Sequence, residues 1–340
     1  MAPGCVEGPV RDFEVVLVLS GGNALGAFQA GVYEALHTNG LQPDWIVGAS
    51  IGAINGALIA GSPPEARIDA LRSFWQPHVA APMNMVHPWL AQSLETSRRS
   101  AAAAWTAIAG RAGIFGPALS ALTPWSDDRP SIFETEQLVA TLDNAIDFGR
   151  LSNGSCRFTA TAVDLQTGED VVFDSASHAI APHHIRASAA LPVLFPPVEI
   201  DGRWLVDGGL SANLPLDPVL SDSPTRPTLC IAVDLLPLDG RLPVTLGEAA
   251  GRMQDLVFAA QSRRSIARWR NEYDGRKDRA VSLIRLAYTQ QDDEVAGKAL
   301  DFSGSTVAHR WAAGHAAGMR VVERKTQGAL KIGMAGLSIV

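Results

Sequence analysis

Glu14 to Leu19 (EVVLVL) is an unbroken run of β-branched and leucine side chains, followed directly by Ser20-Gly21-Gly22. A run without polar alternation predicts a strand covered on both faces and closed by a tight turn. From Gly26 to His37 apolar positions return at helical spacing, with Phe28, Val32 and Leu36 on one line and Ala27, Gly31 and Ala35 on the next; Gly40 closes the segment. Trp45 to Val47 reads as a second strand, and Ser50 to Ala60, rich in Gly, Ala and Ile, as a closely packed second helix. Two strand, turn and helix units in succession predict a parallel α/β sheet, because parallel strands need helical crossovers.

Pro63-Pro64 opens a third helix that runs to about Trp75, proline being tolerated in a first helical turn. Between Pro77 and Pro130 the pattern loosens. Met83, Met85, Trp89, Trp105, Phe115 and Trp125 lie there, around an Ala-rich helix expected from about Arg99 to Gly110. The stretch is too long for a plain connection. It reads either as a helical insertion packed on the core or as a lid or hydrophobic substrate wall. Regular pattern returns with a helix over Glu134 to Ile146 and a strand over Arg157 to Asp164, turned by Gln166-Thr167-Gly168 into Asp170 to Phe173. Val198 to Ile200 and Trp204 to Val206 flank Asp201-Gly202, a hairpin signal. Thr228 to Val233 and Val281 to Leu286 are expected strands, Leu246 to Trp269 and Ser305 to Glu323 expected helices. Arg263, Arg264, Arg268 and Arg270 fall on the later turns of the first of these helices and read as a solvated face.

Composition narrows the picture. A chain of 340 residues that is 47% hydrophobic and 19% charged can bury a large core and is not disordered. Lys+Arg 28 against Asp+Glu 35 gives a net charge of −7, the wrong sign for a duplex nucleic-acid binder, so no nucleic-acid partner is expected. A mean hydropathy of +0.09 is high for a chain in which no segment has the length and apolarity of a bilayer crossing. The longest apolar segment, Trp45 to Ala60, is broken by Ser50, Asn55 and glycines. Met1 to Pro9 has neither the basic nor the apolar region of a secretory signal, so a cytoplasmic location is the expectation. Cys5, Cys156 and Cys230 form no disulfide or zinc pattern, no calcium or zinc ligand set is visible, and no cofactor is expected.

Three segments can carry chemistry. Gly48-Ala49-Ser50-Ile51-Gly52 has the G-x-S-x-G form and sits where a strand turns into a helix, which would expose the hydroxyl of Ser50 at the end of the sheet. The helix beginning there points its free amides at any negative charge that develops. Ser20-Gly21-Gly22-Asn23-Ala24-Leu25-Gly26 also joins a strand to a helix. It lacks the Lys-Ser/Thr of a P-loop and the middle glycine of a dinucleotide fingerprint, which leaves a set of free backbone amides suited to an oxyanion hole. Asp207-Gly208-Gly209 follows the hairpin strand and by itself reads as a turn.

In this order the three segments resemble the patatin-like phospholipase family. Gly21, Gly22 and Gly26 match its glycine-rich oxyanion segment, Gly48, Ser50 and Gly52 its nucleophile motif, and Asp207, Gly208 and Gly209 its D-G-G/A motif. Ala187 to Pro192 with Phe195-Pro196-Pro197, and Asn213-Leu214-Pro215, look like the segments that bracket the aspartate in bacterial members. The tail around Asp301-Phe302-Ser303 and Trp311 is similar to a bacterial C-terminal extension. The resemblance implies an α/β fold, a three-layer sandwich about a mainly parallel sheet. It implies a catalytic domain over 14–218 containing the 77–130 insertion, and a part over 219–340 that completes the sheet and adds a helical extension. It further implies a serine acyl hydrolase acting on carboxylic esters of lipids, with Ser50 as nucleophile, Asp207 as its dyad partner and the amides of Gly21, Gly22 and Asn23 as oxyanion hole.

Two positions depart from the family. Asn23 stands where a third glycine is usual and Leu25 where Arg or Lys is usual, which leaves the backbone amides in place but removes the basic side chain. A Ser-His-Asp hydrolase built with His309 or His315 is the rival reading, and His183-His184 are expected to be surface or supporting residues. Acyl transfer to another acceptor and a non-catalytic lipid-binding role use the same fold. The expected partner is a lipid or other acyl ester, with transient membrane-surface contact, and the net charge of −7 favours dispersed lipid over an anionic bilayer.

Overall fold

The structure, a computed structural model, describes residues 11–75, 88–118, 130–221, 226–276, 278–289, 291 and 294–340. In the helix that begins at Pro88, side chains are described from residue 95 onward. The strands in chain order are β1 (Glu14–Leu19), β2 (Trp45–Gly48), β3 (Gly116–Pro117), β4 (Phe133–Glu134), β5 (Arg157–Asp164) and β6 (Asp170–Asp174). After them come β7 (Val198–Ile200), β8 (Arg203–Asp207), β9 (Thr228–Asp234), β10 (Ala280–Ala287) and β11 (Gly336–Ile339). The helices are α1 (Ala27–Thr38), α2 (Ile51–Ala60), α3 (Arg67–Trp75), α4 (Pro88–Ala109), α5 (Glu136–Ala145) and α6 (Phe148–Asn153). The chain ends with α7 (Pro182–Ser188), α8 (Gly209–Ala212), α9 (Asp217–Ser221), α10 (Leu246–Glu272) and α11 (Gly304–Thr326).

One sheet organises the chain in the order β11-β10-β9-β1-β2-β5-β8-β7, with β6 also on β5. From β11 to β5 every pairing is parallel; β6, β7 and β8 join antiparallel. The chain leaves central β1 for β2 on one side and returns at β9 on the other, so the strand order reverses at β1. In open α/β sheets the crevice at such a reversal, beyond the carboxyl ends of the strands, is where ligands bind.

The period-2 geometry of strands divides the interior into two cores. Val15, Leu17 and Leu19 of β1, with Ile46 of β2 and Ile231 of β9, pack against α1, α2 and α11 through Phe28, Ile54 and Val307. Val16, Val18, Trp45, Val47 and Cys230 face the other way, onto Leu216 and Leu220 around α9 and Trp269 of α10. Helix, sheet and helix make the three layers, as the unbroken apolar strands require.

Boundaries depart from expectation where the local pattern is weak. The Ala-rich helix begins at Pro88, not near Arg99, and α10 continues to Glu272. The short α6, α7 and β11 carry no signal in the hydrophobic pattern, and β11 is a four-residue edge strand with one buried position. Asp201 and Gly202 both take positive φ (52° and 76°), the signature of the tight hairpin turn their sequence predicts. Of the apolar 77–130 set, Met83, Met85 and Trp125, and the side chain of Trp89, lie outside what is described. Trp105 is 68% exposed, whereas Phe115 is buried among Phe133 and Phe195. Cys156 and Cys230 are buried single thiols pushed up to about 12 by desolvation.

Helices α1 and α11 touch backbone to backbone, since a Cβ at Gly314 would lie 1.9 Å from the Phe28 carbonyl oxygen and one at Gly31 2.0 Å from that of Trp311. Gly314→Val is therefore expected to lower unfolding free energy by about 3 kcal/mol or more, as a reduced urea midpoint at unchanged slope.

Candidate active site

Ser50 stands between β2 and α2 with φ 56° and ψ −126°, a conformation rare for a residue with a side chain. The glycines on either side make this turn possible. A Cβ at Gly48 would sit 2.4 Å from the Gly52 carbonyl oxygen, and a Cβ at Gly52 would sit 2.2 Å from that of Leu19. Only hydrogens let α2 start this close to the ends of β1 and β2. The Ser50 amide donates to the Ser188 carbonyl at 3.0 Å, which ties the turn to α7. Two residues further on, the Ala190 carbonyl accepts the amide of Asp207 at 3.0 Å, so one segment holds both residues.

Asp207 ends β8 and is 3% exposed. Its carboxylate accepts the Gly209 amide at 2.7 Å and lines the same cavity as the Ser50 side chain. Desolvation raises its pKa to about 6, and the nearby Ser50 side chain and Gly209 amide keep it from going higher. Gly208 is required because a Cβ there would lie 2.3 Å from the Thr161 carbonyl oxygen on β5.

The turn after β1 is held from below by buried polar groups. Gln29 Nε2 donates to the Ser20 carbonyl (2.8 Å), Asn55 Nδ2 to that of Gly26 (3.0 Å) and Arg310 Nη1 to that of Ala24 (3.0 Å). Trp75 Nε1 in turn orients Asn55 by donating to its Oδ1 at 2.9 Å. The Gly21 amide does not fit the expected oxyanion role, because it already donates to the Asn213 carbonyl at 3.1 Å. Among the described residues no acceptor engages the amides of Gly22 or Asn23, which open the short 3-10 turn Asn23–Gly26. Asn23 takes φ 51°, a left-handed conformation that Asn tolerates better than most residues, so replacing glycine there leaves the backbone path intact. Leu25 is buried in the core behind the turn and does not line the site.

These groups meet at the edge of a cavity of about 260 Å³, beyond the carboxyl ends of β1, β2 and β9. Gly22, Asn23, Ser50 and Asp207 are among its polar lining, and Ile54, Phe115, Leu138, Phe195, Phe258 and Phe302 are among its apolar walls. Lys298 is its one lining cation among the described residues, with its ammonium held by Asp255 (2.7 Å) and Gln291 (2.8 Å). None of the described histidines lines it. His183 and His309 are exposed, His315 lies on α11 where that helix meets α1, and His184 Nδ1 accepts the Ala181 amide while its ring stacks on Phe173.

Against known proteins, the sequence profile of the patatin-like phospholipase family matches residues 17–220. The chain belongs to this family. A second profile, described as patatin phospholipase, matches residues 246–330, which include α10, the loop behind Lys298 and α11. An uncharacterized NTE family protein of Mycobacterium tuberculosis is 28% identical over 221 residues, 65% of this chain and 49% of that protein. Lysophospholipase NTE1 of Candida glabrata is 27% identical over 241 residues, 68% of this chain and 11% of that protein. The chain thus spans about half the length of the mycobacterial relative and about a tenth of the yeast one. Among solved structures, VipD from Legionella pneumophila is 15% identical with a TM-score of 0.46, over 92% of this chain and 67% of that one. No described helix is long and apolar enough to cross a membrane.

Reading the sequence singled out Ser50, Asp207 and the glycines, and the structure brings them together. It did not single out Arg310, Gln29 or Asn55, which touch the turn after β1 only through its backbone carbonyls and carry no local pattern. Arg310 is fully buried, with Glu294 on Nε (2.8 Å) and Nη2 (2.7 Å). Arg310→Met leaves Glu294 and three carbonyls short of a donor, and is expected to cost about 3–5 kcal/mol in chemical denaturation.

Proposed function

We propose that this protein is a lipid acyl hydrolase that works through a Ser50–Asp207 dyad and an acyl-enzyme. The observation that carries the reading is a serine in a strained strand-to-helix turn beside a buried carboxylate, both at the edge of an apolar cavity. Ser50 Oγ attacks the ester carbonyl as its proton passes to Asp207, forming a tetrahedral oxyanion held by the amides of Gly22 and Asn23. Collapse expels the alcohol, which takes the proton from Asp207 and leaves the acyl group on Ser50. Water then attacks that acyl group, Asp207 takes the water's proton and returns it to Ser50, and the fatty acid departs. A carboxylate of ordinary pKa is a poor base at neutral pH, and burial brings Asp207 nearer the useful range.

The family and the likeness to a protein named lysophospholipase support an acyl ester of a lipid as substrate, with its chain against the aromatic and aliphatic walls. The absence of histidine from the described cavity lining favours the dyad over a Ser-His-Asp triad built with His309 or His315.

Ser50→Ala is expected to abolish both fatty-acid release from lysophospholipids and covalent labelling by a fluorophosphonate; retained hydrolysis by the purified variant would overturn the proposal. Because Asp207 must be ionised to accept the proton, kcat/KM is expected to fall about tenfold per pH unit below an apparent pKa near 6. The same shift opposes folding at neutral pH. A carboxyl whose pKa is raised in the fold stabilises it below the unfolded pKa of 3.8 and loses that contribution as pH rises through about 6. Asp207→Asn should accordingly be inactive yet about 1–3 kcal/mol more stable than the parent at pH 7, an advantage that disappears in acid denaturation series near pH 4.

A further inference from the structure

Helix α10 carries more apolar surface than the cavity uses. Gly247, Ala250, Gln254 and Phe258 line the cavity. At about 100° per residue, Leu246, Met253, Leu256 and Val257 fall on the adjoining face, and all four are exposed. On the segment leading into the helix Leu242 is 87% and Val244 84% exposed, and Leu246 itself is 88% exposed. Apolar surface therefore continues from the cavity lining out to solvent. Single exposed leucines need no explanation, whereas a contiguous set at the mouth of a binding cavity marks a surface that meets something apolar.

Further along the same face stand Arg263 and Arg264, both exposed, and neither is ion-paired within the described residues. The acids of this helix half lie elsewhere. Glu248 is turned back to accept the amides of Val244 and Thr245, and Asp255 faces Lys298. Aliphatic side chains followed by arginines on one helix face match the chemistry of a lipid interface with anionic headgroups. The net charge of −7 does not oppose this at contact, since charges more than about 8–10 Å away are screened at physiological salt.

We infer that the solvent face of α10, with the 242–246 segment before it, is the surface by which this protein lies on an anionic lipid bilayer, with the cavity mouth held against the lipid. The inference rests on the lipid acyl hydrolase reading for its choice of occupant, and its test reads binding apart from chemistry.

The full-length protein is floated with vesicles of phosphatidylcholine alone and of phosphatidylcholine mixed with phosphatidylglycerol. The expected result is co-flotation with the mixed vesicles that weakens at high salt, and weaker capture by the neutral ones. Leu246→Ser/Met253→Ser/Val257→Ser should lose about tenfold or more in partition onto both vesicles, and Arg263→Glu/Arg264→Glu should lose the preference for the anionic ones. All of these side chains lie outside the catalytic cavity, so both variants should hydrolyse a short-chain water-soluble p-nitrophenyl ester as the parent does. Absence of parent flotation with the mixed vesicles, or unchanged flotation of both variants, overturns the inference. So does a concentration-dependent dimer that the serine variant abolishes, because a second copy would then cover the face. A parent that floats but hydrolyses no ester would sink the catalytic reading while leaving the surface in place.

Discussion

Everything at the candidate site depends on the contact between the first turn of α2 and the end of β1. Gly52 lies against the Leu19 carbonyl and Gly48 against Gly52, so helix and strands meet through backbone with no side chain between. That approach forces Ser50 into a left-handed turn, at a cost of about 1–3 kcal/mol that the surrounding core must offset. In return the hydroxyl stands clear of the sheet, at the start of a helix and beside the reversal in strand order where a cavity forms.

The turn after β1 needs a second kind of support, because its carbonyls are buried away from water and each must find a donor. Ser20, Ala24 and Gly26 are satisfied by Gln29, Arg310 and Asn55. Arg310 arrives from α11, nearly three hundred residues along the chain. Its other hydrogen bonds run to Glu294 and to the carbonyls of Lys298 and Asp301, in the loop that also supplies Leu300 to the cavity. The C-terminal region is thus part of the site's framework. Among the described residues the amides of Gly22 and Asn23 meet no acceptor.

Charge acts here locally. The same chain has a net charge of −7, a carboxylate kept in an apolar site and an arginine pair beside exposed leucines. The overall sum describes solubility and long-range fields, while the distribution on α10 describes what can be touched.

The hydrophobic pattern alone determined the order of strands and long helices and the parallel character of the sheet, because two-sided burial and helical periodicity are local properties. Glycine at fixed offsets about a strand-to-helix turn singled out Ser50, whereas Asp207-Gly208-Gly209 by itself read as a turn and stood out only through its resemblance to a family motif. The amide assignment at Gly21 could not be read there, because Asn213 claims that amide from a distant segment. Short elements such as α7 and β11 were equally silent, being too brief to show a period. Arg310 as a clamp, the pKa of Asp207 and the continuity of the cavity with the outer face of α10 were decided only by tertiary structure. Each depends on which distant groups share a low-dielectric space, and no local pattern encodes that.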